Sequence, residues 1–223
     1  MEEALSSKMD IKAFIFDMDG LLVDSERIVQ RSWEMAGDEL EIPHMGDVIY
    51  HTLGMNRTGR NEYFRKYIRE DFPVEEFGKL TRDNFWKIVN KEGLPLKKGA
   101  KELLAYGKSQ GYKMAVATSS SREYAMGNLI RAGIDSYFDS VVCGDMVKKA
   151  KPDPEIYQKA CESLGIQPEY CMAFEDAPGG ILSAHQAGMH VIMVPDLVQP
   201  TQEIRELTYR VCDSLADVIG ILN

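Results

Sequence analysis

The chain has 223 residues, enough for one good-sized domain or for a core domain that carries a smaller insertion. Its formal net charge of -9 at pH 7 argues against a general affinity for nucleic acid or for anionic membranes. No apolar run approaches the roughly 20 residues that cross a bilayer, and the acidic N-terminal stretch shows no secretory signal, so we predict no membrane partner.

The cysteines indicate a reducing compartment. They lie in apolar or amphipathic stretches without C-x-x-C spacing, a pattern that favours buried, reduced thiols over zinc ligands or disulfides. Reduced thiols in a chain without a signal predict a cytoplasmic location. The four cysteines are Cys143, Cys161, Cys171 and Cys212.

In chain order, the first predicted element is a strand over residues 13–16, whose four apolar residues suit a strand buried on both faces. The strand ends in Asp17, one spacer, Asp19 and Gly20. Desolvated carboxylates must be paired, bound to metal or made to share a proton, which predicts a divalent cation at the carboxyl end of a parallel strand. Because Asp-x-Asp also arises by chance about once in a chain of this length, the motif needs support from other segments.

The two acids can also carry out chemistry. Two residues apart on an extended segment, they lean to the same side, and Gly20 lets the backbone turn sharply just after them. An ionised Asp17 can attack an electrophile, and a protonated Asp19 can serve the leaving group.

The next stretch has a helical character. Between residues 27 and 91, aromatic and aliphatic residues such as Phe64, Phe77 and Phe85 recur at helical spacing, and no strand is indicated. We therefore predict a small helical cap domain at 27–91, inserted into a core formed by 1–26 and 92–223.

After Gly93, strand and helix patterns alternate, and the last helices are predicted from Thr201 to the end. Repeated βα units predict an α/β fold, a Rossmann-like parallel sheet with helices on both faces. The further predicted strands are Met114–Ala117, Ser140–Cys143, Tyr170–Phe174 and His190–Val194.

Two polar segments after the core strands suit an anion. Thr118 and Ser119 open a helix whose free N-terminal amides favour a phosphate, although plain N-capping is the alternative. Lys151 lies in a proline-stiffened loop, from which its ammonium can neutralise a phosphoryl oxygen; a solvated lysine is the alternative.

A second acidic pair, Glu175 and Asp176, follows the strand that ends at Phe174. Asp176, with Glu175 as a ligand or behind the ligands, completes an oxygen set with Asp17 that suits Mg²⁺. The alternative is a Glu-Asp pair that the dipole of a helix N-terminus favours.

Together these motifs resemble those of the haloacid dehalogenase superfamily of phosphotransferases, over about residues 12–195. The insertion is similar to the helical cap of the subgroup that contains β-phosphoglucomutase and small sugar-phosphate phosphatases. The matching segments are Asp17–Glu26, Thr118–Ser119, Lys151–Pro152 and Glu175–Asp176 followed by Gly180.

The resemblance implies a role for each matching residue. Asp17 is the nucleophile that forms an aspartyl-phosphate, Asp19 is the acid/base whose backbone carbonyl also touches Mg²⁺, and Asp176 with Glu175 completes the metal site. The substrate-binding residues that it implies are Thr118, Ser119 and Lys151 for the transferring phosphoryl group, Ser120, Ser121 and Arg122 for the far end of the substrate, and Arg57 for a cap contact.

The sequence departs from the family pattern in two respects. Ala177 stands where many relatives carry Ser after the Glu-Asp pair, a smaller change, and the other departure bears on the reaction. Val29 stands where the mutase has a histidine, and the stretch 79–84 offers no lysine at the matching place; both favour hydrolysis. We therefore predict a Mg²⁺-dependent phosphatase, monomeric, that acts on a small phosphorylated metabolite such as a sugar phosphate. A β-phosphoglucomutase-like isomerase is the alternative, and a non-catalytic phosphosugar-binding protein is a third hypothesis.

Overall fold

The computed structural model of the protein describes residues 10–52 and 57–222. A six-stranded sheet in the order β3-β2-β1-β4-β5-β6 forms the centre, and every pair of neighbouring strands is parallel. The predicted α/β fold class is confirmed. The strands are β1 Ala13–Phe16, β2 Lys113–Thr118, β3 Ser140–Cys143, β4 Cys171–Glu175, β5 His190–Met193 and β6 Arg210–Val211.

Strand β1 lies inside the sheet because both of its faces are apolar. Ile15 belongs to a core cluster that includes Ile156 and Ile181, which lie in helices after β3 and β4. On the opposite face, the Phe14 and Phe16 rings pack against Phe174 with centroids 5.2 and 4.7 Å apart. Side chains alternate between faces along a strand, so an uninterrupted apolar run fits a strand with helices on both sides.

Ten α-helices occur in the described residues, with a short π-helix at Phe64–Ile68. Among the described residues, no helix combines the length and the apolar character needed to cross a membrane. The helices are α1 Ser25–Glu39, α2 Ile49–Thr52, α3 Arg57–Tyr63, α4 Val74–Glu92, α5 Ala100–Ser109, α6 Arg122–Arg131, α7 Glu155–Leu164, α8 Pro178–Gln186, α9 Gln202–Leu207 and α10 Leu215–Leu222.

The chain divides into two compact units, residues 25–94 and the sheet-bearing remainder. The 25–94 unit has its own apolar core, in which Trp33 of α1 and Phe77 of α4 meet edge to face with centroids 5.6 Å apart. Phe64 and Phe72 complete this aromatic cluster. All the regular secondary structure in the described part of this unit is helical.

One prediction about the C-terminal region is wrong. The sequence predicts helices from Thr201 to the end, but Arg210–Val211 forms strand β6 beside β5. The two-residue strand forms because Ile192 and Met193 of β5 offer an open edge, and Cys212 N donates to Met193 O at 2.8 Å. Pairing across the sheet outweighs the local preference in so short a segment.

Candidate active site

The predicted site residues that follow strands β1, β2 and β4 meet at the carboxyl edge of the sheet. Asp17 follows β1 directly, and its backbone N–H donates to Phe174 O of the neighbouring β4 at 3.0 Å. Thr118 is the last residue of β2, and Glu175 is the last residue of β4. Since β2, β1 and β4 are adjacent and parallel, their three ends deliver these side chains to one place.

Lys151 lies at the centre of this group. Its ammonium donates to Asp17 Oδ1 at 2.6 Å, to Glu175 Oε1 at 2.6 Å and to Ala117 O at 2.9 Å. An ammonium has three N–H donors, so all of them are used, and the side chain is only 9% exposed. The structure thus places this lysine in the site and not in solvent.

Both carboxylate oxygens of Glu175 accept hydrogen bonds. Its Oε1 also accepts a hydrogen bond from the Tyr157 hydroxyl at 2.7 Å, while its Oε2 accepts from the backbone N–H of Asp176 at 3.1 Å. A Cβ at Gly180, in the first turn of α8, would clash with this carboxylate. Glycine at that position lets the helix approach the acid closely enough to enclose it.

The charges of the site suit a cation. Asp17, Glu175 and Asp176 each offer a carboxylate oxygen, and the three oxygens lie within 4.8 Å of one another. Three carboxylates facing one lysine leave an excess of negative charge that a divalent ion would balance. Their hard oxygen donors fit such an ion, so the predicted residues can hold a metal.

Burial has a clear effect on the nucleophile candidate. It raises the pKa of Asp17 to about 8, a shift that Lys151 opposes and Glu175 reinforces. For Lys151, burial alone would lower the pKa, but the carboxylates of Asp17 and Glu175 outweigh it and raise the pKa. The lysine therefore stays charged, and a cation would favour ionisation of Asp17.

Asp19 faces the loop after β2. Its Oδ2 accepts from Ser120 Oγ at 2.8 Å and lies 3.5 Å from Thr118 Oγ1, and its Oδ1 lies 3.4 Å from the Tyr124 hydroxyl. The two predicted acids therefore have different surroundings, one facing an ammonium and the other facing hydroxyl groups. That difference suits separate roles. A metal contact through the Asp19 carbonyl stays a prediction.

The remaining predicted substrate residues lie near the start of α6. Ser121 caps this helix, accepting from Tyr124 N at 3.5 Å, and the backbone N–H of Arg122 donates to Asp145 at 3.0 Å. Ser119 lies beside Gly144, where a Cβ would clash with the Ser119 carbonyl. The side chain of Arg57 lies outside the described residues.

Two residues of the site were missed by the sequence reasoning. Tyr157 is completely buried on α7, six positions after Lys151, and lies with its hydroxyl 3.4 Å from the ammonium. Tyr124 reaches Asp19 from α6. A tyrosine on the apolar face of an amphipathic helix signals a hydroxyl that needs a buried partner, and that signal was present at Tyr157.

Acids and a lysine gathered at the carboxyl edge of a parallel sheet define an α/β enzyme with a phosphoryl- or acyl-transfer type of site. The chain belongs to the haloacid dehalogenase-like hydrolases, whose family model matches residues 14–194. The superfamily predicted from the motifs is confirmed, and the chain is an enzyme of this hydrolase family.

Individual relatives agree with this assignment. A Bacillus subtilis (strain 168) protein, YhcW, named as a candidate phosphatase, is 32% identical over 212 residues, 93% of this chain and 94% of that protein. A Thermotoga maritima phosphorylated carbohydrates phosphatase is 33% identical over 182 residues, 82% of this chain and 84% of that protein. The solved structure of a candidate beta-phosphoglucomutase from Thermotoga maritima has a TM-score of 0.81 at 28% identity, covering 95% of this chain and 98% of that chain.

Proposed function

We propose that this hydrolase is a Mg²⁺-dependent phosphatase that cleaves a small phosphorylated metabolite, of the sugar-phosphate class, through an aspartyl-phosphate on Asp17. The observation that carries the proposal is the position of the Asp17 carboxylate. It is buried, bonded to the Lys151 ammonium and within reach of two acids that can share a cation with it. The name of the Thermotoga maritima phosphatase supports phosphorylated carbohydrates as the substrate class.

In the first half of the reaction, an oxygen of Asp17 attacks phosphorus and the bond from phosphorus to the ester oxygen breaks. Asp19 gives its proton to the leaving oxygen. In the second half, water attacks the phosphorus of the aspartyl-phosphate, Asp19 takes the proton, and inorganic phosphate leaves with Asp17 regenerated.

Charge on the transferring phosphoryl group is stabilised by groups that stay in place throughout. Lys151 and the Thr118 hydroxyl are the protein donors that we assign to it. Bound Mg²⁺ would supply further charge neutralisation at the phosphoryl oxygens, held by Asp17 and Asp176 with Glu175. The Lys151 ammonium already contacts the Asp17 carboxylate. It therefore needs to move little to reach an oxygen of a phosphoryl group that is bonded to Asp17.

A panel of phosphomonoesters, assayed for phosphate release with Mg²⁺, tests the proposal. Asp17→Asn should lower turnover by at least about 1,000-fold, because an amide cannot replace the carboxylate nucleophile. Asp139→Asn is a matched control, since Asp139 pairs with Lys113 elsewhere in the chain and should leave turnover unchanged. Wild-type rates in Asp17→Asn, or no phosphate release from any ester, would contradict the proposal.

A β-phosphoglucomutase-like isomerase is the second candidate, and the structural likeness to the Thermotoga maritima candidate mutase favours it. There the phosphoryl group on Asp17 would pass to a sugar hydroxyl in place of water. Incubation with β-glucose 1-phosphate, Mg²⁺ and a trace of bisphosphate separates the two reactions. Glucose 6-phosphate indicates the mutase, and free phosphate indicates the phosphatase.

Substrate choice is assigned to the helical insertion. We propose that residues 27–91 act as a cap that selects the substrate, with Arg57 as one contact, and that the enzyme works in the cytoplasm. Exchanging this insertion for that of a relative with a different substrate should transfer the preference while leaving the Mg²⁺ requirement unchanged.

A further inference from the structure

Asp196, three residues after β5, carries a carboxylate oxygen that the described residues leave without a partner. Its Oδ1 accepts from Lys97 Nζ at 2.6 Å, but its Oδ2 is buried and has no hydrogen-bond partner within residues 10–52 and 57–222. The side chain is 10% exposed and that of Lys97 is 21% exposed. Buried carboxylate oxygens are rarely left unsatisfied, so this oxygen calls for a ligand.

The unpartnered oxygen lies beside the candidate metal ligands. Gly20 has a φ of +85° in the turn that follows Asp19, and a Cβ added there would clash with Asp176 Oδ2 and lie 3.4 Å from Asp196 Oδ2. Both carboxylates therefore border the same small space next to Gly20. The absence of a side chain at this residue keeps that space open.

Lys97 joins Asp196 to the loop that follows β1 and contains Asp19 and Gly20. Its backbone N–H donates to Leu22 O at 2.9 Å, two residues beyond Gly20, while its ammonium holds Asp196 Oδ1. The pair thus orients Asp196 without using Oδ2. An ion pair that served only to join two loops would not need to leave its second oxygen buried beside another carboxylate.

We propose that Asp196, oriented by Lys97, is a positioning residue of the metal site whose Oδ2 accepts a hydrogen bond from a water molecule bound to Mg²⁺ next to Asp176. Mg²⁺ usually keeps several of its waters in protein sites. A carboxylate that accepts a hydrogen bond from a metal ligand typically raises the metal affinity by about 10- to 100-fold. The inference rests on the proposed metal-dependent function.

Direct measurement of Mg²⁺ binding by titration calorimetry tests this role without an activity assay. In Asp196→Asn the dissociation constant for Mg²⁺ should rise about 10-fold or more, while the melting midpoint of the metal-free protein stays close to that of the wild type. Asp139→Asn is the control, because it removes a lysine-paired carboxylate of the same kind at the start of β3 and should bind Mg²⁺ as the wild type does.

The outcomes distinguish a failure of the role proposed for Asp196 from a failure of the proposed phosphatase function. Equal Mg²⁺ affinity in Asp196→Asn and wild type would overturn the role of Asp196 but would not affect the proposal that the protein is a phosphatase. An equal loss in both variants also overturns it, since the effect would then be general. No Mg²⁺ binding by the wild type would overturn both proposals. Asp196→Ser provides a second variant should the asparagine form fail to fold, with the same expected loss.

Discussion

The ammonium of Lys151 joins two acids from different strands, Asp17 after β1 and Glu175 at the end of β4. Because all three of its donors are used, it cannot be replaced by a shorter or a neutral side chain without leaving buried charge unpaired. The same lysine also lies 4.9 Å from the centre of the Tyr157 ring. The site is therefore a network in which one cation orients Asp17 and Glu175 together.

Metal binding should depend on pH through Asp17. In the metal-free protein, burial raises the pKa of this carboxyl to about 8, so below pH 8 it holds a proton that a metal ion must displace. The apparent affinity for Mg²⁺ should therefore rise about tenfold per pH unit between pH 6 and 8 and level off above. Calorimetric titrations over this range measure it, with two buffers of different ionisation enthalpy to count the proton released. A constant affinity from pH 6 to 8 would contradict the raised pKa.

At the residue scale, the sequence predicted which residues belong to the site better than it predicted the contacts between them. The carboxyl ends of parallel strands converge whichever side chains they carry. The sequence therefore assigned to the site those residues that lie at a strand end or in a stiff loop: Asp17, Thr118, Lys151 and Glu175. The hydrogen bond from Ser120 to Asp19 could not be predicted, since it depends on rotamers of two loops separated by about a hundred positions. The hydrogen bond from Tyr157 to Glu175 depends likewise on how α7 packs on the sheet.

Among the elements, α1 and α4 form the main helix pair of the 25–94 unit, and its aromatic cluster gives that unit a core of its own. Four rings, Trp33, Phe64, Phe72 and Phe77, lie with centroids 4.8 to 5.6 Å apart in the pairs that touch. All of these pairs except Phe64–Phe72 meet edge to face, and such packing contributes stability beyond that of the buried area.

Phe77→Ala should destabilise this unit strongly. The side chain is 4% exposed and touches the other three rings, and a buried Phe→Ala change costs about 3–5 kcal/mol through lost burial and the cavity that remains. Urea unfolding with hydrogen exchange of residues 25–94 measures the loss. Tyr50→Ala is the control, because that ring is 50% exposed and should cost about 0.5 kcal/mol or less. Equal decreases in the free energy of unfolding in both variants would contradict a stabilising role for the aromatic cluster.

The elements show where sequence patterns are strong and where they fail. Long apolar runs such as residues 13–16 and 171–174 predicted central strands because burial on both faces forces that composition. The two-residue strand β6 carries no such pattern, since its partner provides one edge only and its residues stay partly exposed. Its existence follows from the open edge of β5, which is a property of the assembled sheet.

For the whole molecule, the exposed large apolar residues among those described are few and spread along the chain: Tyr50, Tyr67, Ile130 and Met146. Stable association normally needs a contiguous apolar patch, and a formal charge of -9 makes copies repel one another at low salt.

We therefore expect a monomer. Sedimentation velocity at micromolar concentration and moderate salt should give a single species of 25.2 kDa, with the same mass in Asp196→Asn and wild type. A species of twice that mass that persists on dilution would contradict the prediction and would call for a search for its interface.

The position of β1 in the middle of the sheet has a consequence for biosynthesis. The strand that precedes Asp17 is made before its partners β2 and β4, which begin about a hundred and about a hundred and sixty residues later. A nascent chain therefore leaves the ribosome with its most apolar strand unpaired until much of the remaining polypeptide has been translated, and such non-local pairing is slow. Ribosome-bound chains truncated before residue 171 should bind chaperones through residues 13–16, and release should follow once β4 has emerged.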